Sequence, residues 1–282
     1  MAEGTEAYVL GHSEQELARL EQQGELFGAE TREVLRRAGI TTGMRVLDVG
    51  CGAGDVSLIA ADLVGPEGAI LGIDRAAPAL SAARARAERA GHRMVTFRDA
   101  DIFSLETDAT FDAVIGRFIL MHVADAVGAV KRLASLVRPG GAVAFIELDI
   151  DQAGAVPPLP LLTRAIGWIT ATYRHVGVEP NMGSALYATF RAAGLTPRLA
   201  ATTRIESGPQ SAAYGFATQT IASLVPAMEK FAVAGPAEIG IDTLAARLRD
   251  ASLAGDHCIF LPRLVGAWAT VPNESPSQGA AS

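Results

Sequence analysis

From Met44 the chain reads Met44-Arg45-Val46-Leu47-Asp48-Val49-Gly50-Cys51-Gly52-Ala53-Gly54, followed by Asp55. Glycines at 50, 52 and 54 let a backbone turn sharply and approach a ligand with no Cβ in the way. The apolar Val46, Leu47 and Val49 before them suit a strand buried on both faces. A helix from Val56 to Val64, opened by Asp55 and closed by Gly65-Pro66, is expected next. A strand, a glycine turn and a helix N-terminus in that order make a site for a nucleotide-like cofactor.

The spacing narrows the ligand. A dinucleotide turn is spaced G-x-G-x-x-G, with pyrophosphate on the helix N-terminus. Here the spacing is G-x-G-x-G, and Asp55 stands where the third glycine would be, so its carboxylate would repel phosphate. A turn carrying Asp48 and Asp55 suits a ligand with a cationic end. S-adenosylmethionine has an ammonium, a sulfonium and no phosphate. A second strand, Ala69 to Ile73, ends in Asp74, placed to accept from ribose hydroxyls, and a third, Met94 to Arg98, ends in Asp99-Ala100-Asp101, where a carboxylate can accept from an adenine amino group. Any one of these acids taken alone reads equally well as a solvated strand end; their order and spacing together make the cofactor site.

Two further residues could move a proton. His122, in Leu120-Met121-His122-Val123, follows a fourth strand at 111–116, and an imidazole titrates near neutrality. Glu147 stands at the carboxyl end of a fifth strand at 142–147, where it could orient or deprotonate an amine or hydroxyl. Glu147, Asp149 and Asp151 alternate, and an extended backbone would put them on one side; with no histidine adjacent, no metal is expected.

Strands near 44–49, 69–73, 94–98, 111–116 and 142–147 alternate with helices, which implies a parallel sheet with right-handed crossovers. The fold class expected is α/β, a Rossmann-like, mostly parallel seven-stranded sheet with helices on both faces, an N-terminal helical segment and helical cap insertions. Five segments are expected: a helical lid at 1–40, an α/β core at 41–150, cap helices over an acceptor pocket at 151–195, final strands with a helical insertion at 196–270, and a flexible tail at 271–282. In the lid, Ser13-x-x-Glu16 reads as a capping box, and a second helix is expected from Ala29 to Ala38. A helix from Leu161 to His175 carries Trp168, Tyr173 and His175, which read either as core filler or as a cover over an apolar substrate. A strand from Pro197 to Ile205, helices near 209–233 and 236–254, and an apolar run from His257 to Thr270 complete the chain.

At 282 residues, with 49% apolar residues and 20% charged, the sequence can bury one large core. A net charge of −7 and no cluster of Lys and Arg argue against a nucleic-acid surface. No membrane span is expected, and an acidic start without an apolar signal core points to the cytoplasm. Cys51 and Cys258 read as free thiols in a reducing compartment.

These motifs resemble the class I S-adenosylmethionine-dependent methyltransferases, in particular the small-molecule branch that includes quinone-biosynthesis C-methyltransferases. The resemblance covers about residues 30–150. It rests on Val46 to Gly54, Ile73-Asp74, Asp99-Ala100, the strand Phe111 to Ile115, and Leu136-Val137-Arg138-Pro139-Gly140-Gly141. It implies methyl transfer to O, N or C of a small, partly apolar metabolite, with S-adenosyl-L-homocysteine as product. It also implies a cofactor set of Tyr8, Gln23, Asp48, Gly50, Gly52, Asp74, Arg75, Asp99, Ala100, Asp101, Ile102 and Arg117. Arg117 departs from relatives, which often have a small residue there. Catalysis is expected from His122 and Glu147, and acceptor contacts from His122, Glu147, Trp168, Tyr173 and His175. A homodimer is possible. Two alternatives stay open: non-methylating chemistry in the same cofactor pocket, and a non-catalytic interaction protein.

Overall fold

The computed structural model describes residues 14–107 and 110–273, the side chains of 14–23 and 25 excepted. Helix α1 (Glu14–Arg37) precedes an alternating run of β1 (Arg45–Val49), α2 (Asp55–Val64), β2 (Ala69–Asp74), α3 (Ala77–Arg89), β3 (Val95–Asp99), β4 (Phe111–Arg117), α4 (Ala126–Ala134) and β5 (Val137–Asp149). Then follow β6 (Gly154–Val156), α5 (Pro160–His175), α6 (Met182–Ala192), β7 (Arg198–Thr202), β8 (Ile205–Glu206), α7 (Ala212–Lys230), α8 (Pro236–Ile239), α9 (Ile241–Ala254), β9 (Cys258–Phe260) and β10 (Arg263–Thr270).

The main sheet has seven strands in the order β3-β2-β1-β4-β5-β10-β7. The first five run parallel, and β10 is antiparallel to both β5 and β7. This is the expected fold class. Successive residues of a strand face opposite sides, so a sheet covered on both faces needs apolar residues at every position. Val46, Ala113, Ile115, Ala142 and Ala144 pack with α2 and the end of α1 in one core layer. Their neighbours Leu47, Val114, Val143 and Phe145 pack in the other layer, with Leu133 of α4 and Leu186 and Phe190 of α6.

Three expectations about elements are corrected. The lid is one helix with no break before Ala29, because Gly24 and Gly28 lie inside α1 and permit close packing on α2: a Cβ on Gly24 would fall 2.7 Å from Asp55 Oδ1. The final strands are each split. Beyond Thr202 and before Arg263 the chain leaves the main sheet, and β8 and β9 join β6 in a separate sheet of order β6-β9-β8. Of the helices at 151–195, α5 lies over the cavity described below, whereas α6 packs on β5 and β10. The capping-box residue Ser13, with the tail beyond Asn273, lies outside the described residues.

Helix α1 approaches the sheet most closely at β10, where a Cβ on Gly266 would stand 2.5 Å from Val34 Cγ2. Gly266→Ala should therefore destabilise the chain by about 1–3 kcal/mol through overpacking. Urea unfolding tests this, and adding Val34→Ala should recover part of the loss; equal stability of Gly266→Ala and the parent would contradict this packing.

Candidate active site

Strand β1 lies between β2 and β4, so the chain leaves the carboxyl ends of neighbouring strands toward opposite faces and a crevice opens there. The glycine turn occupies it. Gly50 has φ +63°, and a Cβ there would meet Ile119 Cδ1 at 2.6 Å. The Cys51 N–H donates to Ile73 O at 2.9 Å, tying the turn to β2. Asp74 Oδ2 accepts from the Gly52 N–H at 2.9 Å and Oδ1 from the Ala76 N–H at 2.8 Å, which holds this carboxylate at the lip of the crevice.

One cavity of about 950 Å³ runs from this turn to the cap helices, near the upper end for small-molecule sites. Of the residues singled out in the sequence, Gly50, Gly52, Asp74, Arg75, Ala100, Asp101, Ile102, Arg117, His122 and Tyr173 line it. Asp48, Asp99, Glu147, Trp168 and His175 do not. Asp99 is the exposed last residue of β3. Trp168 is turned into the core, and the exposed His175 stacks on Phe231 at 5.1 Å, since only one face of α5 meets the cavity. Tyr8 lies outside the described residues, as does the side chain of Gln23.

The acids of the turn are already engaged, which corrects the argument that they attract a cationic ligand. Asp55 Oδ1 accepts from Arg86 Nη2 at 2.6 Å, and its Oδ2 lies 3.5 Å from Arg117 Nη2. Asp48 is buried behind the turn, where its Oδ2 accepts from Ser57 Oγ at 2.6 Å. Burial pushes its pKa up to about 7, so much of its charge is absent near neutrality.

Glu147 is likewise corrected. Strand β4 leaves the sheet through Phe118, a left-handed residue with φ +57°, whose N–H still reaches Ile146 O at 2.9 Å. The next amides, Ile119 and Leu120, donate to Glu147 Oε1 at 3.0 and 2.7 Å. Glu147 is fully buried, and its Oε2 has no hydrogen-bond partner among the described residues. Burial raises its pKa to about 8, so near neutrality it is mostly a neutral acid bracing the turn that carries His122. Asp149 and Asp151 go elsewhere, the former to Arg263 and Ser184 and the latter to Arg174 and Asn181. Among the described residues no group of His, Cys, Asp and Glu is placed to hold a metal, and no helix is long and apolar enough to cross a membrane.

The far half of the cavity is apolar, and of its residues the sequence reading named only Tyr173. Helix α5 supplies Leu162, Ile166, Ile169 and Tyr173, and α7 supplies Ala213, Phe216, Ala217 and Thr220. Both sets are spaced as one helix face, the signal that could have located them. Ile259 and Leu261 close the chamber from the side of the small sheet.

Residues 40–166 match the family model described as a methyltransferase domain. The chain is 36% identical over 137 residues to the aklanonic acid methyltransferase DauC of Streptomyces sp. strain C5, covering 48% of this chain and 62% of that protein. It is 42% identical over 110 residues to a ubiquinone biosynthesis O-methyltransferase of Paracidovorax citrulli, covering 38% and 44%. The match thus spans less than two thirds of either relative. The crystal structure of the YcgJ protein of Bacillus subtilis has the same fold, with a TM-score of 0.59 at 18% identity over 87% of this chain and 99% of that one.

A carboxyl raised to about 8 stays protonated in the fold where the unfolded chain, at the ordinary 4.5, has lost its proton. Folding then requires proton uptake, and stability falls as pH rises through that window, by about 1.4 kcal/mol per pH unit. Glu147→Gln should lower the slope by this amount and leave the share that Asp48, raised to about 7, contributes over the same window. Urea unfolding of both proteins between about pH 5 and pH 8 checks it, and parallel pH profiles would mean that Glu147 is ionised in the fold.

Proposed function

We propose, from the match of residues 40–166 to the methyltransferase-domain family model, that the chain transfers a methyl group from S-adenosylmethionine to oxygen, nitrogen or carbon of a small, partly apolar metabolite. The observation that carries this reading is the continuity of one cavity, with a glycine turn and strand-end carboxylates at one end and the apolar faces of α5 and α7 at the other.

The residues present fit the cofactor. The backbone at Gly50 approaches closely where a Cβ would fill the crevice. Asp74 keeps acceptor capacity for ribose hydroxyls beyond its two amide bonds. Asp101, Ala100 and Ile102 line the neighbouring wall and would receive the adenine. When bound, the cofactor supplies a methyl group already activated on a sulfonium. The protein's own contribution is alignment, exclusion of water and proton removal.

His122 is the residue in this reading that takes the proton from a hydroxyl or carbon acid, since it lines the cavity and Glu147 does not. The apolar chamber favours an acceptor with a flat or branched hydrocarbon body: Ala213 and Ala217 leave room on one wall, and the α5 residues supply the other. The names of the two relatives, an aklanonic acid methyltransferase and a ubiquinone biosynthesis O-methyltransferase, support a small-molecule acceptor here.

Calorimetry with S-adenosylmethionine and S-adenosylhomocysteine should give micromolar binding, with NAD as the non-binding control. Preference for NAD would overturn the assignment. Asp74→Ala should weaken S-adenosylhomocysteine by about 1–3 kcal/mol, and unchanged affinity would take Asp74 out of the site. With an acceptor found by screening with labelled methyl donor, His122→Ala should lower turnover and leave cofactor affinity intact; equal turnover would end its role as base.

A further inference from the structure

The charges that border the cavity are segregated. Every charged residue described along its wall stands between Asp55 and Asp125 in the chain, at the carboxyl edge of the sheet. From Leu148 to Pro262 the described lining residues include none, although 20% of the chain is charged. The charged residues of α5, Arg164 and Arg174, are exposed away from the chamber. Apart from the phenol of Tyr173, nothing described on the walls from α5, α7 and β9 can ionise.

Leu162, Ile169, Phe216, Ala217 and Ile259 on these walls are buried, and the hydroxyl of Thr220 already donates to Phe216 O at 2.8 Å. A charged group placed there would lose its hydration with no partner to replace it, so it neutralises or stays out. Size adds a second constraint. The cavity measures about 950 Å³, and the site of one small molecule takes roughly 300–1,000 Å³. With the cofactor in the half that holds the glycine turn, the remaining half is on the order of a complete drug-sized site, more than a single benzene ring fills. Flat rings stand on both helices that border it, Tyr173 on α5 and Phe216 on α7, and the small Ala213 and Ala217 follow one another at a one-turn interval on α7.

We infer that the chamber selects an uncharged acceptor whose body has two or more fused aromatic rings, and that Ala217 sets how large a body enters. The inference deepens the methyl-transfer reading above and rests on it. Amino acids, phosphate esters and alkylamines, which carry charge near neutrality, are refused. A phenolic hydroxyl, or a ring carbon beside it, is then the group presented to His122. The Glu179 N–H donates to Met121 O at 2.9 Å and ties the turn that carries His122 to the segment after α5, so His122 stands where the two halves of the cavity meet.

The experiment is calorimetry on the full chain, first with S-adenosylhomocysteine alone and then, at its saturation, with four probes. Benzyl alcohol, 2-naphthalenemethanol and 2-(hydroxymethyl)anthraquinone share one neutral handle and differ in ring number; anthraquinone-2-carboxylate puts a charge on the largest body. Affinity should rise by roughly 10-fold per added ring, and the carboxylate should bind roughly 100-fold more weakly than its alcohol. Ala217→Phe should weaken the three-ring alcohol by about 10-fold or more and leave the one-ring alcohol within about 2-fold of the parent. Ile166→Arg, which adds a cation to the α5 wall, should reverse the preference between the three-ring alcohol and the carboxylate. Retained S-adenosylhomocysteine binding reports that a variant has folded; where it is lost, Ala217→Leu and Ile166→Lys take the places of these two, with smaller effects of the same sign. Equal affinity along the ring series, or a carboxylate bound as well as the alcohol, would overturn the acceptor class and leave methyl transfer standing. A rise along the series that Ala217→Phe does not alter would put the probes elsewhere and overturn the role of Ala217. Failure of the parent to bind S-adenosylhomocysteine would overturn both readings.

Discussion

The constraint on which the rest of this structure depends is the position of β1 between β2 and β4. Neighbouring parallel strands whose connections leave toward opposite faces cannot be covered at their carboxyl ends by the same crossover helix. A gap must remain there, and whatever borders it must be small or turned aside. Gly50 meets that condition on β1, and Gly116 meets it on β4, where a Cβ would lie 2.8 Å from Phe145 and 3.0 Å from Ile119. With larger residues at these places, the turn after β4 could not fold beside the glycine turn, and the cavity would lose the wall that carries His122.

Having opened a gap, the fold must manage the polar groups that border it, and it does so in two ways. Asp55 and Asp149 are paired with arginines, with Asp149 accepting from Arg263 at 2.6 Å. Among the described residues Asp48 and Glu147 have no cationic partner within hydrogen-bonding reach, and burial raises both toward neutrality. The division follows position. Asp55 and Asp149 lie at element ends, where an arginine from another element can enter: Arg86 from α3, Arg263 from β10. Asp48 and Glu147 lie inside central strands, where a guanidinium would have to displace the packed layer. A neutral acid that accepts one hydroxyl or two amides is the less costly solution there.

What was legible in the sequence follows from how local each signal is. The glycine turn, Asp74 and the alternation of β1 to β5 are written in short runs whose meaning does not depend on distant residues, and they appear in the structure where the spacing puts them. The break expected before Ala29 is absent, and Gly24, inside α1, is set by the approach of α2, which no local pattern shows. The split of the last strands could not be seen, since β9 is defined by pairing with β6 and β8, both far from it in the chain. Glu147 was read as a base because strand-end acids face the crevice. The left-handed step at Phe118 folds the backbone back over it, and no residue pattern announces a positive φ at a phenylalanine.

The same division between local and distant signals separates the two halves of the cavity. The stretch that matches the methyltransferase-domain model ends at Ile166, inside α5. The glycine turn, Asp74, Arg117 and His122 fall within it; Ile169, Tyr173, the whole of α7 and the β9 residues that close the chamber fall beyond it. Helix α7 touches the cavity on one side and packs on α1, α5 and α9 on the others. The edge-on contacts of Phe27 with Phe118 at 5.6 Å and with Phe216 at 5.8 Å join α1, the turn after β4 and α7 in a single aromatic cluster. A change in the chamber wall at Phe216 is therefore felt at Phe27 and Phe118, next to Arg117. The halves of the cavity differ in sequence character yet share a wall, so the residues of the apolar chamber cannot be altered without also adjusting the residues beside the glycine turn.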